Sequence, residues 1–211
     1  MRYHRADVVE RAIGVLDVYG LADLTMRRLG AELGVQPSAL YHHFANKQTL
    51  LAAVADEILA RGRHGSRPGP WDERVVAVCV ELRDAMLANR DGAELVATVH
   101  AFGLGAAAPY DEIAAALADG GLDVDLARTA GRTLLHFVFG HVSDEQTHLQ
   151  AGSAGAIGDQ PRPGSDFALG LAIVMDGIRL RVGIRPGVTT PTDPPPTTGR
   201  AQTSNVPPLR Q

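Results

Sequence analysis

Helical spacing of the apolar residues is the feature that most constrains the fold of this chain. From Asp7 the apolar positions recur every three or four residues as far as Tyr19, which places one apolar stripe on a helix that Gly20 ends. Similar spacing returns along residues 71–182, and no alternating strand pattern appears. The chain is therefore predicted to be all-α.

Glycine and proline divide the segment that follows into short helices. Thr25 is expected to cap a helix over residues 26–32, although the capping box is incomplete. Gly34 allows a sharp turn, and Pro37 lies in the first turn of a further short helix over residues 38–44. A longer helix followed by two short helices around a glycine-bearing turn is typical of a helix-turn-helix unit.

The rest of the chain indicates a second, larger helical domain. Asn46 caps a fourth helix that reaches about Ala60, and the Gly-, Arg- and Pro-rich residues 62–70 then interrupt the helical pattern. We predict a helix-turn-helix domain over residues 1–61 and an effector-binding and dimerisation domain over residues 70–183. Helices in the second domain are expected over residues 71–88, 93–99, 110–118, 123–148 and 167–182, with a loop over 151–165. The proline-rich residues 184–211 are expected to be disordered.

Charge and cysteine content narrow the function. The net charge is −4, but residues 1–63 carry eight Arg and Lys against seven Asp and Glu, whereas residues 64–211 carry twelve against seventeen. The first segment is therefore the more plausible DNA-binding face. Cys79 is the only cysteine, which excludes an intramolecular disulfide and a CxxC zinc cage. No apolar run reaches about 20 residues and no signal peptide is recognisable, so we expect a cytoplasmic protein.

Three short motifs carry a resemblance to a known family. They are LTMRRLGAELGV over residues 24–35, ALYHHF over residues 39–44 and NKQTLL over residues 46–51. Together they resemble the DNA-binding domain of the TetR family of transcriptional regulators over about residues 5–60. The resemblance implies a DNA-binding regulator, most simply a repressor, and not an enzyme.

The candidate DNA contacts follow from helix chemistry. Arg27 and Lys47 lie in the first turns of their helices, where a cation is disfavoured unless it meets an anion such as a phosphate. Tyr41 and His42 lie in the middle of the recognition helix, where their donors could reach bases or phosphates. The full candidate set is Thr25, Arg27, Pro37, Ser38, Tyr41, His42, His43 and Lys47. One unit would bind weakly at cellular salt, so we expect a homodimer whose recognition helices, about 34 Å apart, bind a palindromic operator on double-stranded DNA.

The second domain resembles that of the tetracycline repressors, a branch of the same family. The matching segments are NRDGA (89–93), YDE (110–112), LLHFVFGHVSDEQTH (134–148) and FALGLAIVMDGI (167–178). The resemblance implies a four-helix dimer interface formed by the long helix and the last helix of each copy. It also implies a ligand pocket in each copy.

Apolar residues replace several ligand contacts of that branch. Val78 and Leu82 stand where the branch has an asparagine and a phenylalanine, and Val96 stands at its metal-binding histidine unless an extra turn brings His100 there. We therefore expect an apolar or polycyclic effector and no cofactor, with Mg²⁺ held by a chelating ligand as the remaining possibility. The candidate ligand contacts are Val78, Leu82, Met86, Val96, His100, Phe102, His136, Phe139 and Asp144.

Two other functions are compatible with the sequence. His141, Asp144 and His148 fall on one helix face beside His136, which would suit a metal-dependent enzyme. However, the chain offers no activated nucleophile, phosphate-binding glycine loop or HExxH motif. The third function keeps DNA binding but has no small-molecule effector, and a filled or closed second-domain core would favour it.

Overall fold

The computed structural model describes residues 3–65, 68–158 and 166–183. These residues form helices and connecting turns without a strand, so the all-α prediction is confirmed. The helices are α1 (Arg5–Tyr19), α2 (Met26–Leu33), α3 (Pro37–Leu40), α4 (Lys47–Gly62), α5 (Trp71–Leu87), α6 (Gly92–Ala101), α7 (Ala108–Asp119), α8 (Val124–Ser153) and α9 (Phe167–Gly183). The tail predicted over 184–211 lies outside the described residues, as does the 159–165 part of the predicted loop. Within the described ranges, no helix is long and apolar enough to cross a membrane.

Helices α1 to α4 form the first domain around a shared core. Its helix starts are set by side-chain caps: the Thr25 hydroxyl accepts from the Arg28 N–H (3.1 Å), and the Asn46 amide oxygen accepts from the Thr49 N–H (2.9 Å). Both caps were predicted from sequence and satisfy N–H groups that the helices leave unpaired. The core contains the fully buried side chains Leu16, Leu24, Leu29, Leu40, Phe44 and Leu50.

The recognition helix is shorter than predicted. The expectation of a helix over residues 38–44 is wrong, because α3 ends at Leu40. The N–H groups of His43 and Phe44 both donate to the Leu40 carbonyl (2.9 and 3.0 Å), which tightens the chain into a turn. This turn brings the Phe44 ring, 1% exposed, into the core. Burial of one large ring thus accompanies the loss of the last helical turn.

Helices α5 to α9 form the second domain. Helix α5 packs against α7 and α8, and α9 lies across α8 and α5. Gly120 allows the chain to pass close to Trp71, since a Cβ there would lie 2.6 Å from a ring atom. Gly170 allows α9 to approach Phe137 of α8 in the same way. Two close approaches between helices of this domain therefore depend on the absence of a side chain.

Helix α4 joins the two domains. It packs against α1 in the first domain and against α5 and α6 in the second. Its last residue, Gly62, lies so close to Ala85 of α5 that an added Cβ would come within 2.6 Å of the alanine Cβ. The predicted interruption at residues 62–70 falls between α4 and α5. Any change in the packing of α5 therefore acts directly on the end of α4.

Candidate nucleic-acid interface and effector cavity

The turn between α2 and α3 positions the recognition segment, which we define as residues 37–44. Gly34 ends α2 with φ of 65° and ψ of 31°, a left-handed conformation that glycine adopts without strain. The Val35 N–H then donates to the Gly30 carbonyl (2.9 Å), and Pro37 occupies the first turn of α3, where a missing N–H costs nothing. The short spacing between glycine and proline thus fixes the entry into the recognition segment.

The predicted DNA contacts lie on the surface of the first domain to different degrees. Tyr41 is 51% exposed. Thr25, Arg27, Ser38 and His42 are also exposed, whereas Pro37, His43 and Lys47 are half-buried. Leu40 and Phe44 point into the core, as expected for the residues that anchor the segment. The segment therefore presents polar groups outward from an apolar base.

Four of these side chains carry donors that the described chain does not use. Arg28 next to them is paired, since its guanidinium contacts Asp23 (3.4 Å) and lies 4.1 Å from the centroid of the Tyr19 ring. By contrast, no hydrogen bond, ion pair or ring contact within the described residues involves Arg27, Tyr41, His42 or Lys47. Unpaired cationic and hydroxyl donors beside a helix-turn-helix unit are suited to phosphate oxygens and base edges.

Arg5 is a supporting residue of this surface that the sequence analysis missed. Its guanidinium lies 4.6 Å from the centroid of the Phe44 ring and covers the end of the recognition segment from α1. Tyr3 lies nearby and lines a cavity of about 330 Å³ together with His42 and His43. No local motif marks Arg5, because its partner is distant in the chain.

The predicted ligand contacts lie at different depths in the second domain. Leu82, Met86 and Val96 are buried in the core of the second domain. His136, Asp144 and Phe102 are exposed, the last at 63%. Val78 is half-buried and lines a cavity between the end of α4, α5 and α7. His100 and Phe139 contact each other edge to face, with ring centroids 5.5 Å apart, and Tyr110 lies beside His100.

A cavity of about 250 Å³ lies between the end of α4, α5 and α7. Its apolar wall consists of Val78, Ala115 and Ala116, whose small side chains leave the space open. Its polar wall and rim consist of Arg63, Gly65, Arg74, Glu81 and Glu112. Sequence analysis missed these charged residues, because singly each is indistinguishable from an ordinary solvated side chain.

The charges around the cavity are largely paired across helices. Arg63 forms an ion pair with Glu112, and Glu81 accepts from the backbone N–H of His64 (3.2 Å) with the His64 ring 2.9 Å away. Arg74 contacts Asp119 through Nη2 (2.8 Å), but its buried Nε has no hydrogen-bond partner among the described residues. Leaving a buried donor unpaired is costly, so an additional acceptor at this place would be stabilising.

The histidine cluster on α8 does not form a metal site in the described residues. There, no group of three or more His, Cys, Asp or Glu side chains could hold a metal ion. His141 lies between the rings of Phe137 and Phe167, with centroids 5.8 and 5.2 Å away, and 4.0 Å from the carboxylate of Glu145. Burial raises the pKa of the Cys79 thiol to about 12, which keeps it protonated and unreactive.

The fold and the exposed donors define a helix-turn-helix DNA-binding protein with a second, helical domain. The family description "Bacterial regulatory proteins, tetR family" matches residues 8–54, and "Tetracyclin repressor-like, C-terminal domain" matches residues 66–162. The chain therefore belongs to the TetR family of transcriptional regulators, and the resemblance seen in the sequence is confirmed.

Relatives with described activities cover most of the chain. The tetracycline repressor protein class A from transposon 1721 of Escherichia coli is 34% identical over 198 residues, which are 82% of this chain and 89% of the repressor. The crystal structure of Mycobacterium smegmatis BioQ is 41% identical with a TM-score of 0.79, and the match covers 84% of this chain and 98% of BioQ. BioQ has also been solved with its natural double-stranded DNA operator (40% identity, TM-score 0.73, 83% and 98% coverage). ActR of Streptomyces coelicolor, solved in complex with (S)-DNPA, is 29% identical with a TM-score of 0.70 and coverage of 86% and 99%.

Proposed function

We propose that this protein is a homodimeric repressor that binds a palindromic operator and leaves it when a small molecule binds the second domain. The observation that carries the proposal is a group of donors on the helix-turn-helix unit that no other described residue pairs, namely Arg27, Tyr41, His42 and Lys47. The operator complex of BioQ supports DNA binding by this fold, and the ligand complex of ActR supports effector binding. In this proposal the protein is not an enzyme, needs no cofactor and works in the cytoplasm, where operator DNA lies.

An apolar stripe on α9 supports dimerisation. Leu169, Ile173 and Leu180 are 60%, 66% and 69% exposed in the single chain and recur at helical spacing. Exposed apolar stripes of this kind are typical of protein interfaces. A second copy that packs its own α8 and α9 against this stripe would complete a four-helix interface. Two recognition segments would then contact one operator.

The cavity between α4, α5 and α7 is our candidate effector site. It combines an apolar wall at Val78, Ala115 and Ala116 with the Arg74 side chain, so an effector with an apolar body and one hydrogen-bond acceptor would fit its chemistry. This differs from an effector that is apolar throughout. No metal is needed to bind such a molecule.

The position of this cavity provides a physical route to the DNA-binding domain. Arg63 and Gly65 follow directly on α4 and form part of the cavity wall. A ligand that displaces Arg63 from Glu112 would change the packing at the end of α4. Coupling of about 1–3 kcal/mol, common in allosteric proteins, would change operator affinity about 5–150-fold.

The first test is binding of the purified chain to its own upstream intergenic DNA at several salt concentrations. Lys47→Ala should weaken binding to all sequences and reduce the salt slope by about 0.9 per copy, as expected for one lost phosphate contact. His42→Ala should change the sequence preference as well. Arg11→Ala is the matched control, since Arg11 is an exposed cation of α1 outside the candidate set. An unchanged slope in Lys47→Ala would contradict the proposed phosphate contact.

A second measurement tests the effector. The operator complex is titrated with apolar and polycyclic compounds, each paired with an analogue that carries a carboxylate, at fixed salt. We expect release by a compound with an acceptor group and loss of that release in Arg74→Ala. Release that persists unchanged in Arg74→Ala would place the effector elsewhere, and binding that no compound affects would favour a repressor without a small-molecule effector.

A further inference from the structure

The end of α1 is hydrogen-bonded to the turn between α5 and α6, far from the covalent connection between the domains. Both carboxylate oxygens of Asp17 accept from the Asn89 side-chain amide (3.0 Å each). One of them also accepts from the Arg90 N–H (3.1 Å), and the Arg90 guanidinium donates back to the Val18 carbonyl (3.0 Å). These four hydrogen bonds join the DNA-binding domain to the second domain at Asp17.

A second carboxylate extends the same junction. The Leu21 N–H donates to Asp91 (2.8 Å), directly after Gly20, where an added Cβ would lie 2.7 Å from that carboxylate. Asp91 itself has a φ of 55°, a left-handed conformation that is uncommon for residues with a side chain, although Asp adopts it more readily than most. The turn therefore contacts the segment after α1 closely, through the Asp91 carboxylate.

Helix α8 holds this turn from the other side. Gln146 is the one buried polar side chain among the described residues, and its amide nitrogen donates to the carbonyls of Met86 (3.3 Å) and Asn89 (3.0 Å). Its amide oxygen accepts from the Ala93 N–H (3.1 Å). Gln150, one turn later on α8, donates to Asp91 (2.8 Å). A continuous set of hydrogen bonds thus runs from α1 to the longest helix of the second domain.

A separate contact holds α4. The Asp56 carboxylate accepts from the Ala106 N–H (2.7 Å), and Ala106 has a φ of 57°. The Ala106 carbonyl also lies 3.2 Å from Nδ1 of His100. In addition to the packing of α4 against α5 and α6, hydrogen bonds therefore attach the DNA-binding domain at two separated places, at Asp17 on α1 and at Asp56 on α4. Two separated contacts fix the orientation of the DNA-binding domain relative to the second domain, whereas a single contact would leave it free to pivot.

We propose that Asp17 is a positioning residue that sets the spacing of the two operator half-sites. The inference rests on the proposed function, since it requires two copies on one operator. Adding one base pair between the half-sites increases their separation by about 3.4 Å and rotates one half-site by about a tenth of a turn relative to the other. A dimer rejects such a site only if each DNA-binding domain holds its angle. The Asp17 junction provides that rigidity.

The test measures the affinity of the full-length dimer for operators whose half-sites are moved apart or together by one and two base pairs. Wild-type protein should bind the best spacing about tenfold more tightly than sites one base pair longer or shorter, a ratio within the usual range of allosteric coupling. In Asp17→Ala this ratio should fall to about twofold while the salt slope stays the same, because phosphate contacts are untouched. Asp17→Asn, which retains an acceptor for the Arg90 N–H, should recover most of the ratio.

Two further variants separate positioning from folding or charge. Asn89→Ala removes the same junction from the second domain and should lower the spacing ratio as Asp17→Ala does. Glu10→Ala removes an equal charge from α1, but its partner Arg61 lies within the DNA-binding domain, so the ratio should not change. A spacing ratio that stays at the wild-type value in both Asp17→Ala and Asn89→Ala would overturn the inference alone. Wild-type protein that binds every spacing equally would also overturn the inference, because its DNA-binding domains would not hold their angle. Binding of a single half-site as tightly as the palindrome would overturn the two-copy function and the inference with it.

Discussion

The two domains build their functional surfaces in different ways. The candidate DNA contacts come from one continuous stretch, residues 25–47, and lie on the surface of a buried apolar core. The candidate effector cavity is assembled from three separate stretches, at the end of α4, along α5 and along α7. The first is therefore specified by local sequence signals, whereas the second exists only once distant helices have packed. Because of this difference, we expect substitutions in the two domains to affect stability and operator binding differently.

The largest effect should follow from removing the base of the DNA-binding surface. Phe44→Ala deletes a ring that is 1% exposed and also removes the partner of Arg5. Loss of a buried phenylalanine typically costs about 3–5 kcal/mol of stability. We expect operator binding to be abolished and hydrogen exchange to increase in α1 to α4, while α7 and α8 keep most of their protection. Exchange measured by mass spectrometry, peptide by peptide, would show this directly.

Tyr41→Ala is the matched control for that experiment. Tyr41 belongs to the same segment but is 51% exposed, so its removal should change stability by no more than about 0.5 kcal/mol. Operator affinity should nevertheless fall, because Tyr41 is one of the unpaired donors. Equal destabilisation by the two substitutions would show that the segment is not divided into a buried base and an exposed face.

A smaller loss is expected from the interior of the second domain. Gln146→Leu keeps the size of the side chain but removes the acceptor of the Ala93 N–H and the amide donor to the Met86 carbonyl, whereas the Asn89 carbonyl keeps its bond from the Gly92 N–H (3.0 Å). An unsatisfied buried polar group costs about 1–3 kcal/mol, and we expect a decrease of about 2 kcal/mol in the free energy of unfolding by urea. Thr147→Ala, the next residue on α8 and exposed, should change it by no more than about 0.5 kcal/mol. If both variants unfold at the wild-type urea concentration, the amide network is not stabilising.

Sequence alone predicts the parts of the molecule that depend on near neighbours. Thr25 and Asn46 cap their helices as expected, because each accepts from an N–H three residues later. The end of α3 at Leu40 was not predictable, since it accompanies the burial of Phe44 against α1 and the rest of the core. The cavity charges Arg74 and Glu112 were missed for the same reason, because helix packing brings them together.

The smallest effect concerns the single cysteine, which reports on the second domain alone. Burial in α5 raises the pKa of Cys79 to about 12, against an ordinary value of 9.0 in the unfolded chain. Above pH 9 the unfolded state loses this proton while the folded state keeps it, so stability must fall as pH rises from 9 towards 12. At pH 9.5 the expected loss is about 0.8 kcal/mol relative to neutral pH.

Comparison with Cys79→Ala isolates this contribution from every other group that titrates at high pH. Urea unfolding at pH 7.5 and 9.5 gives, for each protein, the change in the free energy of unfolding between the two pH values. Only the wild type should show the additional loss of about 0.8 kcal/mol. Alkylation by iodoacetamide at pH 8 should be slow until urea unfolds the second domain, because the buried thiol stays protonated. Rapid alkylation of the native protein would mean that α5 opens locally and exposes the Cys79 thiol to the reagent.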